Sequence, residues 1–246
     1  VRRTLMGQDY ASMQLDLLGT ATGPRPFRLQ LLKWIGSKQR FAHEIISYFP
    51  RHFGTYYEPF LGSGAVLGTL APRKAVASDI LKPLIEIWQT LITDPATLKQ
   101  WYAERWNAMA AGHKIEEYEK IRNSYNAHPN GADLLFIARA CYGGVVRFRQ
   151  RDGHISTPCG AHTPIHPEQF AKRVDVWHVR TKGTTFLHSD FEAIMEDAKP
   201  GDVIYCDPPY TNTQSILYGA QQFDLNRLFD TIERCKSRGA YVILSI

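Results

Sequence analysis

The chain has 246 residues and a mass of 28.0 kDa, enough to bury roughly 70–75% of its unfolded surface in one α/β domain with a small inserted subdomain. Hydrophobic residues at 44% and charged residues at 22% are ordinary for a soluble globular protein, while a net charge of +5 and a pI near 9.0 favour a polyanionic partner wherever the excess clusters. Four cysteines without CxxC spacing (Cys141, Cys159, Cys206, Cys235) argue against a disulfide framework or zinc site, no apolar run nears the roughly 20 residues of a membrane span, and no signal-peptide pattern opens the chain, so no metal or membrane is expected and a reducing cytoplasm is the simplest setting.

Residues 1–30 mix Gly, Thr, Pro and scattered Leu, and Gly23-Pro24-Arg25-Pro26 breaks any helix, so they read as a loosely held, irregular extension. From Leu31 onward, short apolar runs alternate with helix-period segments, the pattern of an α/β sheet. Phe41, Ile45 and Phe49 share one face of a first helix. Thr55-Tyr56-Tyr57 is a predicted strand, followed by the turn Gly62-Ser63-Gly64 and a short helix. Ala75-Val76-Ala77 is the next strand, ending at Ser78-Asp79, and Leu84–Leu91 continue as a helix.

The stretch from 95 to 142 reads as entirely helical, with Pro95 suited to a first turn. Val145 to Ile155 has a different texture, and Asp152-Gly153 between alternating segments signals a hairpin. A helix over 167–179 and a strand over Thr184–His188 return to the sheet pattern, with further strands at Val203–Cys206 and Val242–Ile246. The expected organisation is a catalytic domain built from 31–94 and 181–246, interrupted by a helical and hairpin subdomain over 95–180. The chain stops inside a predicted core strand, so further C-terminal strands are expected, as in a truncated product or fragment.

Asp207-Pro208-Pro209-Tyr210 follows the apolar run Val203–Cys206 directly. Two prolines fix φ near −65° and remove two backbone donors, so the strand ends in a rigid, acid-tipped turn. The Asp207 carboxylate and the Pro208 carbonyl would accept hydrogen bonds from a flat amine such as that of adenine, with Tyr210 stacking on the base. Alone, the tetrapeptide is also compatible with a plain strand-to-loop turn.

Glu58-Pro59-Phe60-Leu61-Gly62-Ser63-Gly64-Ala65-Val66 is the cofactor candidate. Paired glycines let the backbone turn tightly against a ligand. A P-loop would need Gly-Lys-Ser/Thr where Ala65-Val66 stand, and a dinucleotide fingerprint would need glycine in place of Leu67. A ligand such as S-adenosylmethionine (AdoMet) remains, with Asp79 placed to accept its ribose hydroxyls; a structural turn is the alternative. Trp34 and Phe60 would meet the apolar parts of such a ligand, and Lys38 its carboxylate. Asp190 would accept from the cofactor's adenine amine while Phe191 packs on the ring, although Asp190 equally suits a helix N-cap. Arg147, Arg149 and Arg151 alternate along a predicted strand and would share a face that enters a groove or clamps phosphates.

In this order, LLKWIGSK, EPFLGSGAV, the SDI acid, SDF and DPPY resemble the Dam-type family of DNA adenine-N6 methyltransferases, over roughly residues 31–246. The resemblance implies a Rossmann-like AdoMet-dependent methyltransferase fold. It implies AdoMet binding by Trp34, Lys38, Phe60, Gly62, Gly64, Asp79, Asp190, Phe191 and Asp207, with Asp207 to Tyr210 handling the target adenine. It further implies DNA approach by Lys33, target recognition by the insertion, double-stranded DNA as partner and a restriction-modification setting. It implies no metal, and the oligomeric state stays open, with a monomer as one form. The chain departs from GATC-reading members at Gly143-Gly144 and Ser156-Thr157-Pro158-Cys159-Gly160, which leaves the target sequence open. RNA or protein-glutamine N-methyltransferases commonly carry Asn where Asp207 stands. A non-catalytic, AdoMet-binding DNA-recognition fragment is a further alternative.

Overall fold

The structure, a computed structural model, describes residues 26–209 and 223–245. Within them five parallel strands form one sheet: β1 Tyr56–Glu58, β2 Ala75–Asp79, β3 Thr184–His188, β4 Val203–Cys206 and β5 Tyr241–Leu244. Their spatial order is β3-β2-β1-β4-β5. Parallel strands need crossovers that cover both faces, which is why the central ones read as unbroken apolar runs. Along β1 and β4 the pleat deals side chains alternately to two cores: Tyr56, Val203 and Tyr205 to one, Tyr57, Ile204 and Cys206 to the other. Helices α1 Ala42–Ser47, α2 Ala65–Leu70 and α3 Lys82–Thr93 fill the first core, and α8 Phe191–Glu196 and α9 Leu225–Ser237 fill the second.

The order reverses at β1. The chain leaves β1 for β2 on one side, and β4 is added on the other, so a crevice opens beyond the carboxyl ends of β1 and β4. Open parallel sheets bind ligands in such crevices.

Between β2 and β3 lie α3, α4 Pro95–Ala111, α5 Lys114–Ala127, α6 Gly131–Ala140, a turn at Tyr142–Gly144, a hairpin and α7 Pro167–Arg180. Helix α6 is buried along its full length, with α3, α4 and α5 packed around it. The stretch expected to be helical over 95–142 is three helices, α4 to α6. Gly112 turns extended after α4, and Asn130 caps α6 by accepting from the Asp133 amide at 2.8 Å; local caps override helical periodicity there. Helix α1 also departs from expectation. It starts at Ala42, so Ala42 and Ile46 face the core while Phe41 is 57% exposed.

The hairpin pairs Phe148 with Ile155 and closes with Arg149 N–H donating to His154 O at 2.9 Å. Gly153, at φ +70, is the last residue of a four-residue connection, so Asp152-Gly153 does not form a two-residue turn by itself. Of the leading segment, Phe27 packs edge-on against Trp177 with a centroid separation of 5.4 Å, and Leu29 O accepts from Trp177 Nε1 at 2.7 Å. No helix among the described residues is long and apolar enough to cross a membrane, and no cluster of three or more His, Cys, Asp or Glu among them is placed to hold a metal ion.

Candidate active site

The crevice is a cavity of about 420 Å³, within the usual range for small-molecule sites. Its floor is the segment leaving β1. Gly62 and Gly64 take φ of +47 and +61, the left-handed region where a side chain is strained. The bend is fixed from two sides: Trp88 Nε1 donates to Gly62 O at 3.2 Å, and Gly62 N–H donates to Asp79 Oδ2 at 3.1 Å. A Cβ on Gly62 would lie 3.2 Å from Trp34 Cδ1, so this glycine lets the loop approach the indole that forms one wall. Gly64 does not line the cavity; its α-carbon faces Trp88, whose ring a Cβ would meet at 3.0 Å. Its contribution is packing beneath the bend.

Asp79 ends β2 at the cavity wall. One oxygen accepts from Gly62 N–H and the other from Leu81 N–H at 3.0 Å. Burial pushes its carboxyl up from the ordinary value and the amide bonds oppose that shift. Lys38 lines the same cavity. Its Nζ donates to both oxygens of Asp207, at 2.6 and 2.7 Å, joining the loop before α1 to the tip of β4 across 169 residues. That loop is tied to the glycine bend by Ser63 Oγ donating to Ser37 Oγ at 2.9 Å.

The far end of the cavity is aromatic. Phe60 stacks on Phe191 with a centroid distance of 5.3 Å, and Phe223 meets both edge-on. Asp190 caps α8 by accepting from Glu192 N–H at 3.0 Å, and its Oδ1 also takes a hydrogen bond from Arg227. Pro208 and Pro209 complete the lining beside Asp207, and Tyr210 lies outside the described residues.

The structure therefore brings Trp34, Lys38, Phe60, Gly62, Asp79, Asp190, Phe191, Asp207, Pro208 and Pro209 to one cavity. The four basic residues expected at the DNA are placed apart from it. Lys33 is exposed and its stem packs on Gly144, beside the exposed Tyr142. Arg147 and Arg149 alternate with buried Val146 and Phe148, so these two share an outward face. Arg151 does not join that row, because it sits in the four-residue connection, and both it and Arg149 pair with Asp152, at 3.2 and 2.9 Å.

Two cavity residues had no functional signal in the sequence. Arg227 belongs to a helix whose spacing marks only its apolar face. Glu58 sits inside the quoted motif but reads as part of the strand. It is 3% exposed, and its Oε2 accepts from Tyr56 O–H at 2.7 Å and from Leu67 N–H at 2.9 Å. Burial, aided by the charge of Asp207, pushes its carboxyl from 4.5 to about 8, against the two hydrogen bonds. Between those values the folded protein keeps a proton that the unfolded chain has lost, so stability falls as pH rises across the window and levels off above it. Glu58→Gln is expected to flatten the drop in melting temperature from about pH 5 to about pH 8. A variant profile parallel to wild type over that range would contradict the raised carboxyl.

A left-handed glycine under an indole, a strand-end carboxylate and an aromatic pocket, with no basic phosphate loop among the described residues, suit a nucleoside carrying no phosphate. Comparison with known proteins agrees. The family model described as D12 class N6 adenine-specific DNA methyltransferase matches residues 34–246. The DNA N-6-adenine-methyltransferase of Escherichia phage P1 is 28% identical over 235 residues, 89% of this chain and 30% of that protein. The type II methyltransferase M1.LlaDCHI of Lactococcus lactis subsp. cremoris is 24% identical over 242 residues, 90% of this chain and 80% of that protein. A DNA adenine methylase of Vibrio cholerae is 28% identical over 231 residues, 87% of this chain and 79% of that protein. The family match begins at the cavity-wall residue Trp34 and takes in the glycine bend, the insertion and Asp207: the chain belongs to the D12 class of N6 adenine-specific DNA methyltransferases.

Proposed function

We propose that this chain transfers a methyl group from AdoMet to the N6 amine of adenine in double-stranded DNA, in the cytoplasm and beside a restriction enzyme. One observation carries the reading: the glycine bend after β1 and the carboxylate at the tip of β4 open into the same cavity. AdoMet, when bound, supplies an activated methyl on a sulfonium. Gly62 and Trp34 would hold its middle, Asp79 its ribose hydroxyls, and Phe60, Phe191 and Asp190 its adenine. The Lys38 ammonium holds the Asp207 carboxylate in one orientation, which is the role its placement supports in addition to contact with the cofactor.

Adenine's amine is a poor nucleophile because its lone pair is delocalised into the ring. Asp207 and the Pro208 carbonyl, each accepting one N–H, would favour a pyramidal nitrogen whose lone pair faces the methyl. Alignment supplies much of the rate. The N–C bond forms as the S–C bond breaks, the sulfonium becomes a neutral thioether, and the extra amine proton leaves to solvent. Extruding the base costs a few kcal/mol, a cost that stacking on Tyr210 would offset. Residues 95–180 would form the target-recognition subdomain, with Lys33, Arg147, Arg149 and Arg151 toward the DNA.

Tritiated AdoMet offered with duplex DNA, RNA and protein in separate reactions tests the assignment. Label is expected in duplex DNA alone, as N6-methyladenine, and sequencing of that product gives the target site. Label only in RNA or protein would replace the substrate, and label in none would remove the activity. In the same preparation, Arg147→Gln with Arg149→Gln is expected to lower the slope of log K against log salt by about one per lost phosphate contact. An unchanged slope would take the hairpin out of the interface.

A further inference from the structure

Arg227 enters the cavity from α9, the last described helix, and the recognised motifs give it no role. Its Nη2 donates to Asp190 Oδ1, its Nε lies 3.0 Å from Glu192 Oε2, and its guanidinium carbon sits 4.4 Å over the Phe191 ring. Asp224 holds the start of α9 by accepting from the amides of Asn226 and Arg227. The Arg227 side chain therefore projects from an anchored turn.

Asp190 needs such a partner. As an N-cap its side chain is 45% exposed, and a half-exposed carboxylate without a second anchor samples several rotamers. Both of its hydrogen bonds, from Glu192 N–H and from Arg227, fall on Oδ1, and among the described residues none falls on Oδ2.

We propose that Arg227 is a positioning residue for the purine end of the cofactor: it fixes Asp190 through Oδ1 and covers Phe191, so that Asp190 Oδ2 becomes an oriented acceptor selecting a purine with an exocyclic amine. This rests on the cofactor reading above. A planar guanidinium suits the task, because its fork bonds a carboxylate while its face lies on an aromatic ring, which an ammonium does not reproduce. An oriented acceptor discriminates strongly against a ligand lacking the donor, since the site's own polar group is then left unpaired. A purine with a carbonyl in place of the amine would also set oxygen against oxygen at Asp190.

The experiment compares dissociation constants for S-adenosylhomocysteine and its inosine counterpart by titration calorimetry, without DNA. Wild-type protein is expected to prefer the adenine form by on the order of tenfold or more. Arg227→Met keeps the stem and removes the fork; it should cut that preference at least about threefold, chiefly by weakening the adenine form. Arg227→Lys, a milder change in case the methionine variant folds poorly, should recover only part of the preference. In an Asp190→Asn background, Arg227→Met should produce little further change in the ratio. A wild-type ratio in both Arg227 variants overturns the proposal. Wild-type protein that binds both ligands equally would remove the Asp190 selection on which the proposal depends, while binding of neither would strike the cofactor reading itself.

Discussion

Asp207→Ala is expected to lower single-turnover methyl transfer by on the order of 10²–10³, the usual loss when one preorganised electrostatic partner of a reacting group is removed. The carboxylate is 18% exposed and holds the Lys38 ammonium at 2.6 Å, itself 20% exposed. Removing it thus acts twice. The target amine loses its acceptor, and Lys38 loses the anion opposite it in a partly desolvated cavity. Cofactor affinity should change far less, because Gly62, Asp79 and the aromatic end do not depend on the tip of β4. Asp207→Asn separates the two effects. It keeps one acceptor oxygen for the amine but sets an NH2 toward Lys38, so it should retain more activity than alanine. Rapid-quench transfer from tritiated AdoMet to a saturating duplex, alongside calorimetric cofactor binding, reads both quantities. An alanine variant within about threefold of wild type would be incompatible with the role given to Asp207. The substitution also removes the charge that, beside burial, holds Glu58 protonated, so the Glu58 carboxyl should move down from about 8.

The strands were legible in the sequence from their residue types, both at the buried centre of the sheet and at its edge. Val203–Cys206 and Thr184–His188 appear as apolar or β-branched runs bounded by breakers, and both match the observed strands. The cavity's floor was legible for a different reason: tight turns demand particular residues, so Gly62 and the two prolines after Asp207 announce geometry directly. What periodicity cannot carry is a partnership between distant side chains. Nothing near Lys38 indicates that its ammonium lies on Asp207, and nothing near Arg227 indicates Asp190. Local competition explains the other departures. Asn130 and Gly112 set where helices of the 95–142 stretch begin and end, which hydrophobic spacing does not mark. At the hairpin, the Asp152 carboxylate gathers Arg149 and Arg151, so alternation along the sequence did not become a row of three arginines.

Stability should be most sensitive at Trp177, where the insertion joins the sheet. The ring is fully buried. It packs on Trp88 at 5.3 Å and on Phe27 at 5.4 Å, and its Nε1 donates to Leu29 O at 2.7 Å. A Cβ on Gly68 of α2 would fall 2.3 Å from its Cη2, so the helix after the glycine bend is shaped around this indole. Trp177→Ala therefore opens a cavity walled by three separate segments, none of which can collapse into it without moving another. A loss of about 3–5 kcal/mol is expected, lowering the melting temperature by roughly 6–20 °C for a chain of this size. Trp177→Phe keeps most of the packing but leaves the Leu29 carbonyl without its donor, and should cost only about 1–3 kcal/mol. Urea unfolding followed by circular dichroism measures both. The effect should also reach the cavity: Trp88, which loses its neighbour, is the residue that holds Gly62 O, so cofactor binding should weaken in Trp177→Ala below its unfolding transition. An alanine variant destabilised by less than about 1 kcal/mol would mean that the insertion and sheet hold together without this contact, because a buried indole that joins them cannot be removed at the cost of an ordinary surface substitution.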